Sequence, residues 1–169
     1  TVDRIDSVAE IIKNASKSNK IVVVVSAMGG ETNRLVDLAK AFGDDPDKRE
    51  FDALVSTGET VSSALLTMAL HSKGVKAKSF SASQISMRTT SSYSKAKILD
   101  VDAKKILDVV ENDTIPIITG FQGVTEGGDV TTLGRGGSDT TAVAIAAQIS
   151  AIRCDIYTDV DGIFTTDPS

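Results

Sequence analysis

The chain has 169 residues, 41% of them hydrophobic and 24% charged, the composition of a soluble globular protein of one domain. At this length about 70% of the unfolded surface can be buried. The formal charge is −5, from 18 basic and 23 acidic residues, and the basic residues cluster on no segment, which excludes nucleic acid as the expected partner. No apolar run approaches the roughly 20 residues of a membrane span and no signal-peptide pattern opens the chain, so the expectation is a cytoplasmic protein with no membrane partner.

In chain order, Asp3 or Asp6 can cap a first helix with Ile5, Val8, Ala9 and Ile12 at the helical period. Ile21-Val22-Val23-Val24-Val25 is a continuous β-branched run, as in a central parallel strand. Ser26 to Gly30 is a small-residue turn; Leu35, Val36, Leu38 and Ala39 belong to a second helix, and Gly43 to Asp47 to an exposed loop. Phe51 to Lys73 is a long helical stretch broken around Gly58 and closed by Gly74. His71, the only histidine, lies near its end and is expected to be solvated.

Lys76 to Ala82 is a strand, and Gln84 to Ser94 a Ser/Thr-rich surface loop or irregular β-segment. Asp102 to Glu111 is a helix with Ile106, Val109 and Val110 facing inward. Ile115 to Thr119 is a strand that tolerates Pro116 near its start. Ser138 to Ser150 is a small-residue helix, and Ile152 to Tyr157 a last strand expected to bury Cys154, the only cysteine. Strands alternating with helices predict a three-layer α/β/α sandwich around a mainly parallel sheet, one domain over residues 1–169.

In such sheets ligands bind beyond the carboxyl ends of the strands. The polar, glycine-containing segments Ser26–Asn33, Gly120–Asp139 and Thr158–Thr166 fall at such ends, and Ser56–Glu59 falls at the break between helices. The most specific stretch is Thr132-Leu-Gly-Arg-Gly-Gly-Ser-Asp-Thr-Thr-Ala142. A glycine loop opening a helix leaves N–H groups unpaired at the positive end of the dipole, an anion site. Arg135 adds a planar cation suited to carboxylate or phosphate, and Asp139 stands in the first turn. No Gly-Lys-Ser or Gly-Lys-Thr follows, so this is not a P-loop, and Asp139 occupies the third glycine position of a dinucleotide fingerprint.

Ser26 and Thr32 offer hydroxyls to a carboxylate or amine, although Thr32 also suits a helix N-cap; Glu59 suits an ammonium group. Asp159, Asp161 and Asp167 lack the closing glutamate of a calcium loop, so a nucleotide-contacting loop is the favoured reading there and no metal site is assigned.

Val25-Ser-Ala-Met-Gly-Gly-Glu-Thr-Asn33, Ser56-Thr-Gly-Glu59, Gly120-Phe-Gln-Gly123, the 132–142 loop and Tyr157-Thr-Asp-Val-Asp-Gly-Ile-Phe-Thr-Thr-Asp-Pro168 together resemble the aspartokinase family of amino acid kinases. The resemblance covers nearly the whole chain. It implies ATP-dependent phosphorylation of the L-aspartate side-chain carboxylate to 4-phospho-aspartate, the entry to lysine, threonine and methionine synthesis. It further implies that Arg135 clamps the substrate α-carboxylate while Ser26, Thr32 and Glu59 complete the acceptor site, Glu59 near the ammonium. Thr158, Asp159 and Phe164 would border ATP, with Gly134, Gly136 and Gly137 of the anion loop. Asp139 would orient catalytic lysines, Mg²⁺ would arrive with the nucleotide, and the assembly would be a homo-oligomer. The N-terminal part would hold the acceptor and the C-terminal part the nucleotide.

Three departures accompany the likeness. The family's Lys-Phe-Gly-Gly-Thr-Ser strand is not in this sequence, Phe164 stands where tyrosine is usual, and Ser169 stands where arginine is usual. The chain is read as part of a catalytic domain without its regulatory ACT domains. The rival readings are an amino acid kinase with another acceptor and a non-catalytic ligand-binding module.

Overall fold

The computed structural model describes residues 2–157. Its elements are α1 (Val2–Ala15), β1 (Val23–Val25), α2 (Glu31–Lys40), α3 (Lys48–Val55), α4 (Thr57–Ser72), β2 (Ala77–Phe80), β3 (Arg88–Thr89), β4 (Ile98–Asp100), α5 (Ala103–Glu111), β5 (Ile115–Thr119), β6 (Gln122–Val124), β7 (Val130–Thr132) and α6 (Gly137–Gln148).

Three strands form a parallel sheet in the order β1-β5-β2, and all five residues of central β5 are buried. Strand side chains alternate between faces, so one unbroken β-branched run serves two layers. Ile117, with Val23 and Val25, packs among Ala9 and Ile12 of α1 and Leu66 and Leu70 of α4. Its neighbour Ile118, with Val22 and Val24, packs among Ile106 of α5 and Ile145 of α6. The α/β/α sandwich expected from the strand-helix alternation is therefore present.

A second sheet, β4-β3-β6-β7, is mixed: β3 and β6 are parallel, the outer pairs antiparallel. It was not expected from the sequence, because its strands have two or three residues and no readable period. Gly123 is required where β6 meets β3, since a Cβ there would lie 2.2 Å from Thr89 Cγ2. The Thr89 and Thr131 hydroxyls pair at 2.6 Å, satisfying two buried polar groups at once.

Asp47 and Asp102 cap α3 and α5 by accepting the Glu50 and Lys105 N–H groups. Helices α3 and α4 run nearly end to end over 25 residues, apolar and long enough together to cross a membrane. Half of the relevant stretch is buried inside the fold, and buried Asp52 and Glu59 mark a core helix instead.

Several expectations are corrected. Residues 152–157 form no strand and Cys154 is exposed; β-propensity describes fit to a pleated neighbour, and Ile152 to Tyr157 pair with none among the described residues. Of the two readings of 84–94 the irregular β-segment holds: it contains β3, with a register shift at Arg88 and Thr89, and it buries Ile85 and Met87 rather than lying on the surface. Asp3 lies inside the first turn of α1, and Asp6 binds Lys73 Nζ at 2.7 Å instead of capping. Gly30, at φ 82°, holds the N-cap position of α2 that Thr32 was suited to. The break expected around Gly58 is present, with Ser56 between α3 and α4. His71 is exposed, but its Nε2 meets the Ala77 carbonyl oxygen at 2.8 Å.

Candidate active site

The site begins where the parallel strands end. The Gly120 N–H donates to the Val25 carbonyl at 2.9 Å, so β1 and β5 finish side by side and place Ser26 next to Gly120. A Cβ on Gly120 would lie 2.7 Å from Ser138 Cβ and 2.9 Å from Ser138 Cα. Glycine at this strand end thus lets the start of α6 close directly onto the sheet edge.

The anion loop is held from beneath by Phe121. Its carbonyl accepts the Leu133 N–H at 2.9 Å, and its own N–H donates to Thr141 Oγ1 at 3.2 Å. Phe121 itself has φ 65°, a conformation uncommon outside glycine, and its ring lies where a Cβ on Gly137 would be 2.7 Å from Cδ2. Gly134 and Gly136 have φ 84° and 68°, and the Gly137 N–H closes a turn on the Gly134 carbonyl at 3.1 Å. Among the described residues the Ser138 and Asp139 N–H groups have no backbone acceptor, so the helix start presents free donors. These glycines and donors fit a phosphate or carboxylate by their chemistry. Arg135 is exposed on this loop and forms no ion pair among the described residues.

Asp139 faces a cavity of about 560 Å³ that it shares with Ser26, Arg4, Ser7, Val8, Ile156 and Tyr157. Ser26, after β1, and Asp139, in the first turn of α6, therefore open onto one space. Arg135 is not among the residues lining it.

Glu59 is brought to the same edge by a different route. Gly58 lets α4 begin against the turn after β1, since a Cβ there would lie 2.9 Å from Ala27 Cβ. Glu59, 3% exposed, then accepts the Ala27 N–H on Oε1 at 3.1 Å. Among the described residues its Oε2 is buried without a hydrogen-bond partner, as is Ser62 Oγ one turn along α4. Burial pushes the Glu59 carboxyl up to about 7, against the hydrogen bonds from its own and the Ala27 N–H, which favour the charged form. A buried carboxylate oxygen with no donor suits an incoming cationic or N–H group.

Thr32 lies half-buried in the first turn of α2, and its hydroxyl makes no hydrogen bond among the described residues. Thr158, Asp159 and Phe164 lie outside the described residues. The segments 26–33, 56–59, 120–123 and 132–139 are thus joined by direct contacts, as their positions in the sequence suggested.

Two residues that hold this arrangement were not singled out from the sequence. Gln122 Nε2 donates to the Ser56 carbonyl at 2.9 Å, tying the helix break to β6. Asp52 is fully buried and bonds to Ser94 and Thr132. A signal for it existed: Asp52 lies one helical turn before buried Val55, on the inward face of an apolar helix.

The fold is of the α/β/α class, with a glycine loop and a helix start at the carboxyl end of its parallel sheet. The sequence model of the amino acid kinase family matches residues 1–169, and the chain belongs to that family. Within it, the chain is similar to the aspartate kinase of Stutzerimonas stutzeri, at 54% identity over 99% of this chain and 41% of the relative. Among solved structures it is similar to Escherichia coli aspartokinase III in complex with aspartate and ADP, with TM-score 0.86, 29% identity, 98% of this chain and 48% of that one. Similarity to the aspartate kinase of Synechocystis is closer in sequence, 44% identity at TM-score 0.82 over 99% of this chain and 28% of that one. The chain spans about two fifths of the length of the curated relatives it matches.

Proposed function

We propose that this chain is the acceptor site and part of the nucleotide site of an aspartate kinase, transferring the γ-phosphoryl group of ATP to the side-chain carboxylate of L-aspartate. The observation that supports this reading is a buried Glu59 oxygen lacking a donor among the described residues, held at the turn after β1, with the glycine loop bearing Arg135 packed against the end of neighbouring β5. An α-amino acid has the two charges that such a pair would recognise. The likeness to the E. coli enzyme bound to aspartate and ADP supports it.

In this reading Arg135 grips the α-carboxylate by its planar fork and Glu59 receives the ammonium group. Ser26 and Thr32 supply hydroxyls to the same ligand. The reacting carboxylate is ionised at neutral pH, so no general base is required. Catalysis then rests on alignment and on neutralising charge at the phosphoryl group. The Ser138 and Asp139 N–H groups, beside Gly134, Gly136 and Gly137, would face phosphate oxygens. Asp139, which lines a cavity with Ser26, would orient cationic groups around the transferring phosphoryl, as the resemblance to the family implies. Thr158, Asp159 and Phe164 complete the nucleotide side by resemblance to the family. A magnesium ion arriving with the nucleotide would add to the neutralisation of the phosphates. The N-terminal part would thus hold the acceptor and the C-terminal part the nucleotide. The reading extends to a cytoplasmic homo-oligomer, which sedimentation of the purified protein tests.

The deciding experiment is calorimetric titration of L-aspartate in the presence of MgADP, with Arg135→Ala alongside, followed by hydroxylamine trapping with MgATP. Saturable binding lost in the variant, and a hydroxamate from the acyl phosphate, are the expected results. No binding in a chain that circular dichroism shows to be folded, unrestored by adding the family's lysine-bearing strand, would end this reading.

A further inference from the structure

Asp52 is a buried carboxylate that the proposed chemistry does not use. Its Oδ2 accepts the backbone N–H groups of Ser94 and Thr132, each at 2.8 Å, and its Oδ1 the hydroxyls of the same residues, each at 2.9 Å. No lysine, arginine or histidine pairs with it among the described residues. Four donors compensate the charge. Stability alone does not require such an arrangement, since apolar residues of similar shape serve a core as well or better.

Its position suggests another use. Asp52 is on α3, which runs directly into the Ser56–Glu59 break and so sets where Glu59 begins. Thr132 ends β7, three residues before Arg135. Ser94 also meets the loop, its carbonyl oxygen lying 3.3 Å from where a Cβ on Gly134 would stand. The far end of the loop is held independently, by Phe121 and Gly120 against Gly137 and Ser138.

We propose that Asp52 is a positioning residue that fixes Arg135 relative to Glu59, setting the distance between the carboxylate and ammonium sites of the acceptor. The proposal rests on the aspartate kinase reading. Phe121 also holds Leu133, so removing Asp52 loosens the near end of the loop without releasing it, and acceptor binding is affected more than nucleotide binding, whose free N–H groups stand at the far end.

The test is calorimetry of L-aspartate and of MgADP, separately, on the wild-type chain, Asp52→Ala and Asp52→Asn, well below each melting temperature. Asp52→Ala is expected to weaken L-aspartate at least tenfold while MgADP stays within twofold. Asp52→Asn is expected to stay within about threefold of wild type for both. Its amide oxygen can take the two N–H bonds while its amide nitrogen donates to the two hydroxyls. Should Asp52→Ala not fold, Thr132→Val removes one of the four donors at nearly constant shape, and the same acceptor-selective loss is expected, smaller in size. Equal loss of both ligands, no loss of either, or an Asp52→Asn as damaged as Asp52→Ala would overturn the proposal. Wild-type protein silent toward L-aspartate, even with the family's lysine-bearing strand restored, would instead end the aspartate kinase reading, and this inference with it.

Discussion

The Glu59 carboxyl and the Ala27 N–H, 32 positions apart in sequence, meet at 3.1 Å through Oε1, while Oε2 stays buried and unmatched among the described residues. One half of the group thus locks α4 to the turn after β1. The other half carries an unmet demand that the protein tolerates because burial raises the carboxyl to about 7.

This value has a direction for stability. Between about 4.5 and about 7 the native Glu59 holds a proton that the unfolded chain has released. Its contribution is most favourable below about 4.5 and declines as pH rises, levelling off above about 7, by a total on the order of 3 kcal/mol. Melting temperature followed from pH 5 to 8 in wild type and Glu59→Gln is the measurement. The variant should lose this decline, and parallel curves would refute the assignment.

The same proton opposes an ammonium ligand. L-aspartate affinity should therefore rise with pH up to about 7 and then level off, with a proton released on binding below that pH. Calorimetry in two buffers of different ionisation enthalpy reads the released proton directly. Glu59→Gln should bind more weakly and show no such release.

Arg135→Lys keeps the charge of the anion loop but removes the planar fork. L-aspartate binding should fall by roughly ten- to a hundredfold, about 1.4 to 3 kcal/mol, while the melting temperature changes little because Arg135 is exposed. A variant that binds like wild type would place the carboxylate elsewhere.

Gly120→Ala puts a methyl group 2.7 Å from Ser138 Cβ and 2.9 Å from its Cα, and rotating the Ser138 hydroxyl away relieves neither contact. The start of α6 must move off the sheet edge. Loss of MgADP binding in a protein whose far-ultraviolet dichroism is retained is the expected result.

Leu70 is fully buried between α1 and the parallel sheet. Leu70→Ala should cost about 2–5 kcal/mol in urea unfolding without a specific effect on either ligand at low denaturant.

Much of this was legible in the chain. The valine run, the isoleucines of β5 and the 3.6-residue period of α1 and α5 report burial on one or two faces, which is local patterning. The glycine loop was legible for a related reason, because positive φ at Gly134 and Gly136 restricts which residues can stand there. The second sheet was not legible, since strands of two or three residues are decided by the neighbours that receive them. The 152–157 run shows the converse: its β-prone residues found no ladder among the described residues and stayed exposed.

The sequence by itself determined the layered α/β class and the residue types available for an amino acid and a phosphate, because hydrophobic period and glycine placement act over a few neighbouring residues. Only the tertiary structure decided that Glu59 keeps one oxygen unmatched and that Asp52 ties α3 to Thr132. Both depend on donors 32 and 80 positions away, brought within hydrogen-bond distance by the packing of α3 and α4 against the ends of the strands.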